Sequence, residues 1–178
     1  MTESATMEVA APPAVPAAAL RACLCALGGS LFAVDVRSAR EVAVFDAFTV
    51  VPRAAPCLVG VANLRGVIMP ILDIRPLLGL PPHRPGAVIT GLVVEGALLR
   101  AAIAIDAALA LEPFSELFAP PQPGFVLALL PRDDELIPLL DVPKVLSALT
   151  SELGETSQTQ GASLEPPIPD PEEDRHEA

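Results

Sequence analysis

An enzyme usually shows itself in sequence as a nucleophile with its base, a pair of carboxylates, or metal ligands that can gather in one pocket. In this 178-residue chain the candidates are His83 and His176, the thiols of Cys23, Cys25 and Cys57, the hydroxyl of Ser30, and the carboxylates of Asp73, Asp106 and Asp141. A Ser-His or Cys-His arrangement would rest on His83 alone, because His176 falls in a polar tail. His83 stands in a proline-rich loop and reads as a solvated histidine. Cys23 and Cys25 are two apart and share one face of a strand, but no second Cys pair or His cluster completes a zinc site. The three thiols read as small buried hydrophobes, reduced in a cytoplasmic protein. Each of the three aspartates closes an apolar run, where Asp commonly supports a turn. Neither a glycine-rich phosphate loop nor a His-Glu-x-x-His pair occurs. The expectation is a chain with no catalytic residue, no cofactor and no metal.

The elements that would carry these residues are short. The chain has 21 prolines, six Phe and no Trp or Tyr, so its core must be built from Ala, Val, Leu and Ile. Proline at that density breaks long helices in the middle of the chain. Ala22–Leu27 and Leu31–Val36 flank Gly28-Gly29-Ser30 and read as a hairpin, and so do Ala87–Val94 and Leu98–Ile105 around Glu95-Gly96. Ser38–Val44 fits a strand or one helical turn, and a strand near an exposed edge is the favoured reading. The apolar run Val67–Ile74 contains Pro70, which predicts a sheet edge or a bulge there. Phe114–Phe118 suggests a short helical turn. Phe125–Leu130 and Leu136–Leu140 read as a closing strand pair. Val142–Leu149 has helical spacing behind Asp141 as N-cap. Eight to ten such strands between Gly and Pro turns point to an all-β chain of one or two small barrels.

Composition divides the chain into three parts. Residues 1–19 form an Ala/Pro-rich arm expected to be flexible, and 20–150 form the folded domain. Residues 151–178 hold eight of the 22 acids and one of the 11 basic residues, so this tail supplies −7 of the net charge of −11. Its polar, aperiodic composition predicts disorder. No basic stripe offers a surface for nucleic acid. The apolar stretch 17–36 is interrupted by Arg21, Gly28, Gly29 and Asp35, which argues against membrane insertion, and the acidic N-terminus lacks the basic region of a secretory signal.

Residues 60–75, Gly60-Val61-Ala62-Asn63-Leu64-Arg65-Gly66-Val67-Ile68-Met69-Pro70-Ile71-Leu72-Asp73-Ile74-Arg75, resemble the signature of the CheW family of chemotaxis adaptors. There a glycine and a short apolar segment lead to Asn-Leu-Arg-Gly, then to an apolar strand with a central proline and an Asp-Leu/Ile-Arg ending. Gly60, Asn63, Leu64, Gly66, Pro70 and Asp73 carry this match. Leu31–Val36 with Arg40-Glu41-Val42, Ala102–Asp106, and Ile137–Leu146 resemble further family segments, so the likeness covers about residues 22–149. Ala107 and Ala108 depart from the Gly-Val that often follows the aspartate.

The resemblance implies two intertwined five-stranded SH3-like β-barrels with a short C-terminal helix, and neither activity nor cofactor. It implies two partners: the regulatory domain of a CheA-type histidine kinase and the cytoplasmic tip of methyl-accepting chemoreceptors. Val36, Ala39, Glu41 and Arg65 correspond to a receptor-facing groove, in which Glu41 and Arg65 resemble a charged pair. Two other readings stay open: a small barrel binding an apolar ligand in its interior, and a hydrolase built on Cys57 or Ser30.

Overall fold

The computed structural model describes residues 14–83, 86, 88–97 and 99–161. Ten strands and a C-terminal helix follow one another: β1 (Ala14–Leu27), β2 (Ser30–Asp35), β3 (Ala39–Phe45), β4 (Leu58–Leu64), β5 (Val67–Leu72), β6 (Ile89–Glu95), β7 (Arg100–Ile105), β8 (Ala107–Phe118), β9 (Val126–Arg132), β10 (Glu135–Leu140) and α1 (Val142–Gly161).

Two-residue turns set three of the hairpin registers. Gly28 and Gly29 both have positive φ and join Leu27 to Ser30 across β1–β2. Arg65 (φ 54°) and Gly66 (φ 87°) do the same between Leu64 and Val67, a geometry that follows the right-handed twist of the strands. Asn63 Oδ1 accepts the Gly66 amide at 2.6 Å and holds this turn shut. Asp133 (φ 50°) begins the turn between β9 and β10.

The strands form two five-stranded sheets, ordered β1-β2-β10-β9-β8 and β3-β6-β7-β5-β4. Numbering β6–β10 as a second copy of β1–β5 makes the two orders identical. Each sheet therefore combines the hairpin of one half with the three remaining strands of the other, which is how the barrels come to be intertwined. The first sheet closes through a single pair, Phe118 with Leu129. In the second, Thr49 meets Val61 at the corresponding place, with backbone hydrogen bonds of 2.8 and 2.9 Å.

Apolar side chains fill both interiors. Leu20, Leu24, Phe114, Leu130, Ile137 and Leu139 belong to the cluster inside the first barrel, and Phe45, Met69, Ile71, Ile89 and Val93 to that inside the second. A third and larger cluster lies between them, drawing Leu27 and Phe32 from one side, Leu72, Leu92 and Ile103 from the other, and Val145, Leu146 and Leu149 from α1. The two sheets therefore share this central cluster, in addition to the cluster inside each.

Several sequence expectations change here. Strand pairing reaches back to Ala14, opposite Phe118, and enters the segment expected to be a flexible arm; residues 1–13 lie outside the described residues. Phe114–Phe118 continues β8 and is not a helical turn, because Pro113 is paired with Arg21 on one side while the other flank of β8 is free of ladder bonds until Phe118. Pro70 is neither on an edge strand nor at a bulge. β5 lies between β4 and β7, but β7 pairs only with Ile71 and Leu72, so the proline occupies the stretch where no donor is required on that side. Finally, α1 continues twelve residues past Leu149, to Gly161. Leu153 extends the apolar stripe and packs on the central cluster. Glu and Gln favour the helix, and no proline falls between Pro143 and Pro166. The rest of the expected disordered tail, 162–178, lies outside the described residues.

Candidate partner-binding site

Residues that the sequence singled out for binding come from three elements. Val36 ends the passage from β2 toward the second sheet, half-buried, with its amide donating to the Arg21 carbonyl at 3.0 Å. Ala39 opens β3 and packs against the central cluster. Glu41 points to the same side of β3 as Ala43 and Phe45, because side chains alternate along a strand. Arg65 stands on the β4–β5 turn in a left-handed backbone conformation.

Glu41 and Arg65 meet. Arg65 Nη2 lies 2.8 Å from Glu41 Oε2, and Arg100 Nη2 approaches Glu41 Oε1 at 3.9 Å. Arg65 is 78% exposed against 24% for Glu41, so the carboxylate is a shielded anchor and the guanidinium is open to a partner. Exposed Val67 and Ile68 follow the turn that carries Arg65, while exposed Val42 and Val44 lie on the opposite face of β3 from Glu41. Arg40 and Glu95 form a second ion pair at 2.7 Å, across the pairing of β3 with β6.

The signature residues have distinct structural tasks. A Cβ on Gly60 would lie 2.7 Å from the Thr49 carbonyl oxygen and 2.8 Å from Phe48 Cδ2, so glycine here allows the post-β3 segment to bridge to Val61. Its role is close approach and not a turn. Leu64 packs at the end of β4 against the second-barrel core, and Gly66 completes the turn. Asp73 is buried (4% exposed) beside Arg75 (2%), with Arg75 Nη1 on Asp73 Oδ1 at 3.0 Å. Arg75 also reaches the Ala104 carbonyl at 3.1 Å and Asp106 Oδ1 at 2.6 Å. Burial raises the Asp106 carboxyl, but hydrogen bonds from Arg75 and from the amides of Gly28 and Gly29, with the Arg75 charge, outweigh it and hold the group below the ordinary carboxylate range. Sequence reasoning missed this network, since it read Asp73 and Asp106 as separate turn formers.

Cys25, Cys57 and His83, considered for catalysis, are set differently from a nucleophile and its base. Burial pushes the Cys25 thiol up to about 12, helped by the nearby Cys23 and Asp106 charges. Burial and the neighbouring Glu152 push Cys57 to about 12. Both remain thiols at neutral pH, whereas the attacking species is the thiolate. His83 is not solvated as expected: its Nε2 is buried without a hydrogen-bond partner, and its backbone amide donates to Asp73 Oδ2 at 2.6 Å. Its Nε2 therefore has no serine or cysteine partner among the described residues. Among the described residues no group of His, Cys, Asp and Glu is placed to bind a metal. The interiors that the alternative reading would give to an apolar ligand hold clusters of buried apolar side chains. Two clefts lie outside the barrels, one of about 360 Å³ between α1 and the segments around Cys57 and Leu77, another of about 180 Å³ where α1 crosses the β6–β7 turn.

The CheW-like domain family matches residues 21–150. The chain belongs to this family. CheW-family proteins are non-enzymatic scaffolds that couple chemoreceptors to the CheA kinase in chemotaxis. A Rhizobium etli protein named "Probable chemotaxis protein CheW" is 26% identical over 134 residues, covering 71% of this chain and 86% of that protein. A Bacillus subtilis chemotaxis protein CheW is 35% identical over 57 residues, 32% of this chain and 36% of that protein. The crystal structure of scaffolding protein TtCheW from Thermoanaerobacter tengcongensis superimposes with a TM-score of 0.64 at 22% identity, covering 74% of this chain and 92% of that one. That likeness establishes the fold. No helix among the described residues is long and apolar enough to cross a membrane.

Proposed function

We propose that this CheW-family scaffold receives the cytoplasmic tip of a methyl-accepting chemoreceptor on the surface built from Val36, Ala39, Glu41 and Arg65, and that it carries the regulatory domain of a CheA-type kinase on its barrels. The observation behind this reading is the Glu41–Arg65 pair, in which an exposed guanidinium is held at 2.8 Å by a shielded carboxylate and bordered by exposed Val67 and Ile68. A charge fixed beside apolar side chains suits a helical receptor tip that presents both polar and apolar positions. The scaffold would act in the cytoplasm, where its kinase and the receptor tips are both present.

Such an exposed pair contributes at most about 1 kcal/mol to folding. Arg65→Glu should therefore leave the melting temperature nearly unchanged while weakening receptor binding more than tenfold. Combining Glu41→Arg with Arg65→Glu restores the pair in reverse and should recover part of the binding. Normal receptor binding by the single variant would remove Arg65 from the site.

A further inference from the structure

The β1–β2 hairpin belongs to the first sheet, yet both its ends are tied to the second. At its base the chain itself passes from β2 through Val36 into β3, where the Glu95 amide donates to the Ser38 carbonyl at 2.9 Å. At its tip Asp106, which follows the last residue of β7, donates its amide to the Ala26 carbonyl at 2.8 Å, and its carboxylate is stabilised by the backbone amides of Gly28 and Gly29. Asp106 is in turn held by Arg75 at 2.6 Å, and Arg75 by Asp73 at 3.0 Å and by the Ala104 carbonyl at 3.1 Å. The same arginine's own carbonyl accepts the Leu78 and Leu80 amides at 3.0 and 2.9 Å. That brings Leu80 against the hairpin tip, where a Cβ on Gly28 would lie 3.5 Å from it.

Arg75 is the largest fully buried side chain among the described residues, and its charge can be tolerated there only if its donors are satisfied. Its planar fork reaches two carboxylates and a carbonyl, which a lysine ammonium on a flexible stem would not hold in one arrangement. A short polar chain thus runs from the end of β5 through Arg75 and Asp106 to the hairpin tip.

We propose that Arg75, with Asp73 and Asp106, is a positioning device that fixes the β1–β2 hairpin on the second barrel and thereby sets Val36, at the hairpin's base, relative to Ala39, Glu41 and Arg65 on the second sheet. β1 and β2 are also paired to β8 and β10 within the first sheet, and run as one ribbon from this tip to Val36, so loosening the tip is passed along the ribbon to its base. The consequence for receptor binding rests on the reading of those four residues given above.

The test uses the full chain with Asp106→Asn, which keeps the side chain's shape and removes its charge at a position 43% exposed. In the free protein, the Gly28 and Gly29 amides should exchange at least tenfold faster, the amide resonances of Val36 and Ala39 should move, and strands β4, β9 and β10 should keep their protection. Arg75→Lys, which retains a cation with fewer directed donors, should fall between wild type and Asp106→Asn. Unchanged resonances at Val36 and Ala39 alongside faster glycine exchange would overturn the positioning claim, as would a uniform loss of protection throughout both barrels. Titration of the same variant should then show receptor affinity reduced at least fivefold with kinase-domain affinity within twofold of wild type. Equal losses for both partners would contradict the inference. If the wild-type chain itself fails to bind a receptor tip, the receptor reading falls, while the exchange and resonance measurements still decide whether the device exists.

Discussion

β5 and β10 are near copies that end differently. Val67-Ile68-Met69-Pro70-Ile71-Leu72-Asp73 and Glu135-Leu136-Ile137-Pro138-Leu139-Leu140-Asp141 show the same alternation of exposed and buried positions. Each runs antiparallel to the strand before it, with a register shift just before the aspartate, and parallel to a strand from the other half. Each aspartate amide then donates to a carbonyl at 2.8 Å, that of Cys57 or of Phe125. Beyond this point Asp73 is followed by Ile74 and Arg75 and sinks with Arg75 into the protein. Asp141 is followed by Val142 and Pro143, and its carboxylate accepts the Lys144 amide at 3.1 Å to cap α1. One local motif thus starts a buried ion network in one barrel and a helix in the other. The two residues that follow decide which.

The largest expected contrast comes from deleting the two aspartates in turn. Asp73→Ala leaves a buried guanidinium with one carboxylate fewer, and breaking a buried pair costs about 3–5 kcal/mol. Asp141→Ala removes an N-cap and costs about 1 kcal/mol. Chemical denaturation of both variants checks the ordering, and equal losses would break the comparison.

Gly60 and Ala128 form the second contrast, since they hold equivalent places opposite Ile71 and Leu139. A methyl at Gly60 meets the Thr49 backbone, so Gly60→Ala should cost about 1–3 kcal/mol and release the Thr49–Val61 bridge. Ala128→Gly should cost about 1 kcal/mol or less, the ordinary penalty for glycine in a strand. Thr49 amide exchange separates the two, because only the first variant should accelerate it.

The third contrast sets the two stretches of α1 against each other. Ending the chain after Leu149 removes Leu153 from the central cluster and should cost about 1–2 kcal/mol. Ending it after Gly161 should leave the melting temperature unchanged.

A smaller effect concerns acid. The Asp106 carboxyl lies below its unfolded value, so its contribution is present above about pH 4 and is lost as pH falls through the folded value. Asp106→Asn should therefore lose less stability than wild type between neutral pH and about pH 3. A steeper loss in the variant would reverse the sign of this linkage.

Much of this architecture can be read in the residues. The glycine pair at 28–29 and the Asn63-Leu64-Arg65-Gly66 turn specify hairpins through backbone conformations that few residues accept, and Asp141 precedes a run with helical spacing. The pairing of Glu41 with Arg65 came only from family likeness, because it spans 24 residues and depends on two strands meeting. The Arg75 network was hidden for the same reason: Asp106 is 31 residues away, and nothing local marks Arg75 as buried. The reach of α1 exceeds the expectation because a polar composition does not by itself preclude helix: Leu153 continues the spacing of Leu149 and helix formers surround it. Contacts between residues far apart in sequence account for the Glu41–Arg65 pair and the Arg75 network, whereas the reach of α1 was locally encoded.

The coupling role is tested most directly by asking whether one molecule of this protein can join two others. Receptor cytoplasmic tips are immobilised, the kinase regulatory domain is supplied in solution, and retention of the kinase domain is measured with and without the full chain. The account predicts retention that depends on the chain, saturates with its concentration, and falls at least tenfold with Arg65→Glu while direct kinase-domain binding by that variant is unchanged. Failure to retain the kinase domain at micromolar concentrations, with all three components folded, would contradict it.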